Sequence, residues 1–301
     1  MRNTDFYSTF SDEQACRDHF KSMRDKQGIV CKKCGSEKHY WLKSKQMYQC
    51  KSCSFRTSLR SGTLLECSNL PFKAWYEAFQ IVSMSKKSIS ARTLERHLGV
   101  HYETAWYLLQ KVRVAMGASN RDLVLEGMIE VDEAQMSVIE LSEEENHVGL
   151  KKKRGRGANQ AKILVMANFR YELNRKGKVR KRLNKVIMEQ IEDYKSDTLG
   201  ETMTRWIKRS SRIFTDAFRS YGPLKTQFKH LLQQIASGSD SVKKLPVSHG
   251  VISNLRKNIE GIHHCVSQLH LQNYLDEYCF RFNNRCQPIE SILLQSVKFN
   301  W

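Results

Sequence analysis

Hydrophobic residues in the first third of the chain follow a helical period that one extended stretch interrupts. A pattern from Asp12 to Arg24 predicts a short helix with Ser11 as its N-cap. From Ile29 to Arg60 the pattern changes to short extended pieces, HYWLKSKQMYQC and FRTSL, which predict a ribbon-like β unit. Between residues 71 and 116 apolar residues again recur every three or four positions, beginning with Phe72, Trp75, Phe79 and Val82.

The end of this helical region predicts a helix-turn-helix. The sequence SISARTLERHLGVHYETAWYLLQKVRVAM divides into two helices around a Gly99-Val100 turn. In a helix-turn-helix the second helix, here about Tyr102 to Met116, enters the major groove of DNA, so Tyr102 and Lys111 are candidate DNA contacts. Any helical hairpin with a glycine turn gives a similar pattern, so a purely structural hairpin is the alternative.

From Gly127 onward the pattern predicts strands and helices in the order of an α/β domain. Strands are predicted over MIEVDEAQM, LVMANF, KVIMEQI and RIFTDA, with helices over TMTRWIKR and from Leu269 to Phe282. The loop between the first two strands, EEENHVGLKKKRGRGANQ, contains a basic run. This run is either a phosphate or DNA contact or an ordinary solvated loop, and its members are Lys151, Lys152, Lys153, Arg154 and Arg156.

The charge of the chain makes nucleic acid the leading partner. The chain has 50 Lys and Arg against 31 Asp and Glu, a formal charge of +19, which attracts polyanions. The sequence has no run of about 18 apolar residues, and its N-terminus lacks the apolar core of a signal peptide. We therefore expect a soluble, cytoplasmic protein that is associated with the nucleoid and does not bind a membrane.

Four of the nine cysteines form two C-x-x-C pairs. Cys31 and Cys34 precede Cys50 and Cys53 by fifteen intervening residues, a spacing that lets two knuckles converge on one tetrahedral Zn²⁺. Such a site has no open coordination position, so it folds a small module and cannot be catalytic. The module would present Lys43, Lys45, Arg56 and Arg60 to DNA, although any exposed face of so basic a protein is positive.

Two aspartates lie near the ends of predicted strands. Asp132 ends MIEVD, and Asp216 ends RIFTD. If these strands are parallel neighbours, the two carboxylates emerge at one edge of the sheet and can hold divalent cations for phosphoryl transfer. A strand-end aspartate can equally be a turn or cap residue. Strand alternation places Glu130 on the face of Asp132, as an auxiliary ligand or a surface carboxylate, and Glu133 on the other face.

Motifs in a fixed order connect these features to one family. The segments FSDEQAC, GIVCKKCGS, YQCKSC, SKKSISA, TAWYLLQKVR, EVDE, TDAFRSY and YLDEYCFRFNNR occur between about residues 5 and 286. In this order the chain resembles bacterial insertion-sequence transposases of the DDE type with an N-terminal zinc ribbon, a group related to Merlin elements. The resemblance implies a ribonuclease-H-like domain whose first and fourth strands carry the first two acids, matching Asp132 and Asp216.

The resemblance also implies a third metal-binding residue, often Glu, on a later helix, and a basic residue two turns further on. In SHGVISNLRKNIEG these positions hold His249 and Arg256, which are seven residues apart and lie nearly on one helical face. Mg²⁺ prefers oxygen ligands, whereas imidazole suits Mn²⁺ better. His249 is therefore a variant ligand, a group that binds phosphate or orients the nucleophile, or a structural histidine. The run His263-His264-Cys265 offers only weak support for a second zinc site.

We therefore expect a multidomain α/β protein with five segments: an N-terminal helical segment (1–28), a β zinc ribbon (29–62), a helix-turn-helix region (63–120), a ribonuclease-H-like mixed sheet with flanking helices (121–290) and a tail (291–301). The expected function is a transposase that binds the inverted repeats of its element and target DNA, with structural Zn²⁺ and catalytic Mg²⁺ or Mn²⁺. Synapsis by family analogy requires at least a homodimer. The alternatives are an inactive transposase-derived DNA-binding regulator and a zinc-ribbon RNA-binding factor.

Overall fold

The chain divides into two units, and the first is built from both ends of the sequence. The computed structural model describes residues 3–139, 160–174, 176–234, 245–286 and 288–298. The first unit comprises residues 1–119 and 286–301, and the second comprises residues 120–285. None of the helices in the described part of the chain combines the length and the apolar run that crossing a bilayer requires.

The first unit contains six helices and a small antiparallel sheet among its described residues. Its elements are α1 (Asn3–Thr9), α2 (Glu13–Gln27), β1 (His39–Leu42), β2 (Met47–Cys50), β3 (Arg56–Ser58), α3 (Phe72–Met84), α4 (Ala91–Leu98), α5 (Tyr102–Asn120) and, from the C-terminal end, α9 (Pro288–Lys298). The sheet order is β1-β2-β3. The N-cap of α2 is Asp12, whose carboxylate accepts from the Ala15 N–H at 2.8 Å, so the prediction of Ser11 as the cap was wrong by one residue.

The core of the first unit is aromatic. The predicted apolar positions of α3 are buried, and Phe72 contacts Phe20 of α2 at 5.3 Å between ring centroids. The ribbon is tied to α2 because the Tyr48 hydroxyl donates to Asp25 at 2.7 Å. Helix α9 packs against α2 and α3, and the Ser296 carbonyl accepts from the Leu64 N–H at 2.9 Å.

The predicted pair of helices around Gly99 is present as α4 and α5. Gly99 has a φ of 64° and ends α4 by donating its N–H to the Glu95 carbonyl. A left-handed residue at this position is the usual end of a helix, and glycine takes it without a steric cost. The Ser90 side chain caps the other end by accepting from the Thr93 N–H at 3.1 Å.

The second unit is a five-stranded mixed sheet with helices on both faces. Its elements are β4 (Met128–Ser137), β5 (Gln160–Leu173), β6 (Val179–Ile191), α6 (Ser196–Trp206), β7 (Arg212–Asp216), β8 (Leu231–Gln234), α7 (Pro246–Ile262) and α8 (Leu271–Asn283). The strand order is β6-β5-β4-β7-β8, with β4, β5 and β6 antiparallel and β4, β7 and β8 parallel. The expected ribonuclease-H-like fold class is thereby confirmed.

Strand alternation decides which face each helix covers. Ile129 and Val131 of β4 point toward α6, where Leu199 and Met203 are buried with them. Even-numbered residues of β4 point the other way, toward the face that α7 and α8 cover with residues such as Leu255. Glu130 and Asp132 therefore lie under α7, the helix that carries His249.

Candidate active site and metal centre

The four cysteines of the ribbon form a cluster with the dimensions of a zinc site. All four Sγ atoms lie within 4.8 Å of one another, with 3.6 Å between Cys31 and Cys53 and 3.6 Å between Cys34 and Cys50. Tetrahedral zinc with Zn–S bonds of about 2.3 Å requires sulfurs about 3.8 Å apart. The residues present therefore fit a structural zinc ion.

Each cysteine pair is part of the same tight turn. Gly35 (φ 71°) and Ser54 (φ 57°) follow the second cysteine of each pair in a left-handed conformation, and their N–H groups bond to the carbonyls of Cys31 and Cys50. Burial opposes ionisation of Cys50, but the N–H groups of Cys53 and Ser52 lower its pKa to about 6. Because the thiolate is the form that binds metal, this turn favours metal binding.

In the second unit, neighbouring strands bring the two aspartates level with each other. β4 and β7 pair in parallel from Met128 opposite Arg212 to Glu130 opposite Phe214. The same register continued by two residues places Asp132 opposite Asp216. Burial raises the pKa of Asp132, as does the charge of Asp216, while His249 and Ser248 lower it. The two carboxylates therefore share one electrostatic environment.

His249 lies beside Asp132. Its Nε2 is 3.1 Å from Asp132 Oδ2, and the Ser248 hydroxyl donates to the same oxygen at 3.2 Å. Asp216 is exposed, and its Oδ1 accepts from the Phe218 N–H at 2.9 Å. Among the described residues, only the four cysteines bring three or more potential ligand atoms close enough to hold one ion, so Asp132, Asp216 and His249 are near one another without forming such a cluster. The run from His263 to Cys265 does not form such a cluster with other described residues either.

A buried glutamate fixes the start of the helix that carries His249. Glu130 is fully buried, and its Oε2 accepts from the N–H groups of Val247 and Ser248 at 2.8 and 2.9 Å. Its Oε1 is 2.7 Å from the ammonium of Lys181. Since α7 has no side-chain cap of its own, Glu130 supplies the cap from β4. The expectation of a metal ligand or surface carboxylate at Glu130 is not met.

Arg256 lies two turns along α7 from His249. The residue is exposed, and its Nη2 donates to the Gln135 carbonyl at 3.1 Å. Gln135 is three residues beyond Asp132 on β4, so α7 runs along this strand and Arg256 lies at the far end of the site from Glu130.

The sequence did not predict a role for Glu133 and Tyr221 beside the aspartates. Burial raises the pKa of Glu133 to about 7, the nearby Tyr221 hydroxyl lowers it, and Asp216 and Asp132 raise it. Glu133 Oε1 and the Tyr221 hydroxyl are both buried and have no partner of hydrogen-bond geometry in the described part of the chain. The signals in the sequence were the acidic neighbour of Asp132 and the tyrosine five residues after Asp216, in TDAFRSY.

The predicted DNA contacts of the first unit fall into two classes. Lys43, Lys45 and Arg56 are exposed on the ribbon, and Tyr102 is partly exposed in the first turn of α5. In contrast, Lys111 is buried and donates to the carbonyls of Leu64 and Glu66 at 3.0 and 2.7 Å. A buried ammonium that is already bonded to carbonyls cannot reach a phosphate, so this expectation is corrected.

Arg60 is engaged in the same way as Lys111. Its guanidinium donates to the carbonyls of Ser68 and Leu70 and lies 4.5 Å from the centroid of the Phe72 ring. It therefore stabilises the segment after the ribbon, and the expectation of a DNA contact here is also corrected. The predicted contacts in the basic run, Lys151, Lys152, Lys153, Arg154 and Arg156, lie outside the described residues.

Family models of transposase domains match part of each unit. The family described as the ISXO2-like transposase domain matches residues 124–283, and the transposase zinc-ribbon domain matches residues 11–56. An uncharacterized protein in the transposable element ISH50 of Halobacterium salinarum is 25% identical over 230 residues, which cover 72% of this chain and 71% of that protein. The resemblance inferred from the motifs is thereby confirmed.

Solved structures of Mos1 complexes resemble this chain only distantly. The Mos1 strand transfer complex is 11% identical, covering 72% of this chain and 74% of that chain with a TM-score of 0.32. The mariner Mos1 paired end complex with Mg is 10% identical, covering 72% and 75% with a TM-score of 0.32. Likenesses this distant add nothing to the assignment, which rests on the family match. Since that match spans more than half of the chain, the chain belongs to the ISXO2-like transposase family.

Proposed function

We propose that this transposase binds the terminal inverted repeats of a mobile element as double-stranded DNA, then cuts the strands and joins them to target DNA. The main support is the in-register pair Asp132 and Asp216 on adjacent parallel strands, with His249 at 3.1 Å from Asp132. The two carboxylates offer the oxygen ligands that Mg²⁺ and Mn²⁺ take. Ions held there by Asp132 and Asp216 would supply activation of the attacking hydroxyl and stabilisation of the leaving oxygen.

The side chains of α7 complete the proposed site. His249 occupies the third position, where its imidazole suits Mn²⁺ better than Mg²⁺. Arg256 lies on the same side of the helix and presents a planar group of N–H donors that matches a phosphate. A DNA strand along α7 would thus meet the aspartates first and Arg256 about 10 Å later, since a helix rises about 1.5 Å per residue.

DNA recognition is proposed for the first unit and the basic run. Lys43, Lys45 and Arg56 are exposed on a ribbon that zinc would hold rigid, and Tyr102 lies at the start of the predicted recognition helix. These groups suit contacts to phosphates and groove edges. The basic run of residues 151–156 would add phosphate contacts. Because joining requires two element ends, the proposal includes a homodimer or larger assembly on chromosomal DNA in the bacterial nucleoid.

The test is cleavage of a DNA end that carries the element's inverted repeat, with Mg²⁺ or Mn²⁺ as the only divalent cation. Asp132→Asn and Asp216→Asn are each expected to abolish cleavage while leaving DNA binding intact. His249→Glu is expected to retain cleavage and to raise the rate in Mg²⁺ relative to Mn²⁺. Asp197→Asn, which changes an exposed acid on α6, is the matched control and should cleave like the wild type. Full cleavage by either site variant would refute the assignment.

A second candidate is a transposase-derived DNA-binding regulator without activity. Two observations favour it: His249 replaces the usual third acid, and among the described residues Asp132, Asp216 and His249 do not form a compact cluster of ligand atoms. Specific binding of the repeat with no cleavage in either metal, unchanged by His249→Glu, would decide for this function.

A further inference from the structure

The hairpin formed by β5 and β6 extends beyond the sheet that carries the site. β4 pairs with β5 only as far as Phe169, which lies opposite Met128. β5 and β6 continue to pair with each other until Leu173 lies opposite Val179. Residues 170–174 and 176–182, termed the arm, therefore form a two-stranded ribbon, and no third strand of the described chain pairs with it.

The arm and the residues beside it are strongly basic. Residues 170–185 include eight Lys and Arg (positions 170, 175, 176, 178, 180, 181, 182 and 185) and one acidic residue, Glu172, in a chain whose total charge is +19. Glu172 already pairs with Arg170 and Arg182 at 2.6 and 2.8 Å.

Three of the arm's cations are available to a ligand. Lys176, Lys178 and Arg180 are exposed, and they form no ion pair with any residue in the described ranges. The turn between the strands does not depend on their side chains, because Asn174 Oδ1 accepts from the backbone N–H groups of Lys176 and Lys178 at 2.9 Å each. Holding several like charges close together without counter-charges is unfavourable unless a polyanion neutralises them.

The two faces of the arm differ in chemistry. Leu173, Val179 and Tyr171 share one face and are 71%, 65% and 52% exposed. Arg180 lies on the other face with Glu172. A two-stranded ribbon has the width that the major groove of DNA admits, and apolar side chains contact thymine methyl groups or sugars there while cations contact the flanking phosphates. A protein partner would have to be strongly acidic to match the same charge.

The register gives the distance from the arm to the catalytic centre. Asp132 pairs with Val165, and Leu173 is eight residues further along the same strand. At about 3.4 Å per residue the end of the arm is roughly 27 Å from the level of the carboxylates. Duplex DNA advances about 3.4 Å per base pair, so this distance corresponds to about eight base pairs.

We propose that the arm is a DNA-binding element, which inserts its apolar face into a groove of duplex DNA about eight base pairs from the phosphate at the catalytic centre. Lys176, Lys178 and Arg180 then contact phosphates on either side of that groove. This inference rests on the proposed function, and it deepens that function by assigning a contact outside the zinc ribbon, the helix-turn-helix and the basic run.

The experiment compares the triple variant Lys176→Ala, Lys178→Ala, Arg180→Ala with the wild type. Binding is measured by fluorescence anisotropy without divalent cations, on repeat DNA that extends 20 base pairs to each side of the cut. The variant should bind at least about tenfold more weakly at 0.15 M salt, and the slope of log K against log salt should fall by up to about 2.7, which is about 0.9 for each lost phosphate contact. The control triple Arg209→Ala, Lys225→Ala, Lys229→Ala removes three exposed charges near the opposite sheet edge.

The second part of the experiment varies the length of the DNA. With DNA cut back to four base pairs on each side, the arm cannot reach the duplex, so the variant and the wild type should bind equally. An equal deficit of the control triple on long DNA, or a deficit of the variant that persists on short DNA, would overturn the proposal. A change in oligomeric state with unchanged DNA affinity would also overturn it, in favour of a contact between copies. If the wild type binds and cleaves DNA and the variant binds long DNA with the same affinity, only the proposal about the arm fails. If the wild type neither binds nor cleaves DNA, the proposed function fails.

Discussion

Replacing Glu130 with alanine should loosen the helix that carries His249. The carboxylate is fully buried and is the acceptor for two backbone N–H groups and for the ammonium of Lys181, at 2.7–2.9 Å. Removing one partner of a buried pair costs about 3–5 kcal/mol, mostly because the remaining charge is left uncompensated. A buried N–H without a partner adds about 1–3 kcal/mol, and these terms overlap.

Solvent access to Lys181 sets the scale of this loss. Its side chain is 19% exposed, so the ammonium can recover part of its hydration after the substitution. We therefore expect the free energy of unfolding to fall by about 3 kcal/mol, the lower end of the range for a broken buried pair. This corresponds to a roughly hundredfold change in the equilibrium constant. Glu130→Gln keeps an oxygen that can accept from the helix N–H groups, so its free energy of unfolding should fall less than that of Glu130→Ala.

Hydrogen exchange measures this effect where it occurs. Amides at the start of α7, including those of Val247 and Ser248, should exchange roughly a hundredfold faster in Glu130→Ala than in the wild type. The control Glu126→Ala removes an exposed carboxylate that pairs with Lys208 at 2.8 Å, and it should change exchange by less than about threefold because exposed pairs contribute about 0–1 kcal/mol. If Glu130→Ala leaves α7 protected to within threefold, the cap does not hold the helix and the reasoning is wrong.

Three further predictions test other parts of the chain. Cys34→Ser should reduce bound zinc from about one ion per chain to almost none and unfold the ribbon, whereas the exposed Cys286→Ser should retain zinc, as measured by metal release to a chromogenic chelator. Gly99→Ala should lower the free energy of unfolding, measured by urea titration, by about 1 kcal/mol because φ is 64°. Gly250→Ala should raise it by up to about 1 kcal/mol, because Gly250 lies within α7 and a Cβ there meets no other atom. Burial raises the pKa of Asp276 to about 6 although Gln272 opposes this, so the charged form destabilises the fold and stability falls as pH rises from about 4 to 6. Asp276→Asn should then have a free energy of unfolding about 3 kcal/mol above that of the wild type at pH 7.5 and equal to it near pH 4.

The sequence predicted those features that depend on local spacing. Two C-x-x-C pairs determine the ligand set of the zinc cluster, because each pair forms a turn whose hydrogen bonds join neighbouring residues. The α3 core positions followed from the helical period alone. Asp132 and Asp216 required one further assumption, that their strands are parallel neighbours, and the register of β4 and β7 fulfils it.

Features that depend on distant partners could not be predicted. Lys111 is basic and belongs to a predicted DNA-reading helix, yet carbonyls 45 and 47 positions earlier bind its ammonium. Glu130 acts as a cap for residues more than 100 positions later. The arm was missed because basic residues interrupt the hydrophobic alternation of β5 and β6, so only the apolar middle of β5 and the apolar end of β6 were recognised.

The return of α9 to the first unit has a consequence for synthesis on the ribosome. Ile289, Ile292, Leu293 and Val297 are buried in the first unit, but 166 residues, 120–285, are translated between α5 and this last helix. At about 5–20 residues per second, the ribosome needs roughly 8–33 s to make them. During that interval the partly completed first unit lacks α9 and exposes the apolar surface that this helix later covers. Nascent chains should therefore depend on chaperones in this window, and the first unit should be completed only after α9 has been synthesised.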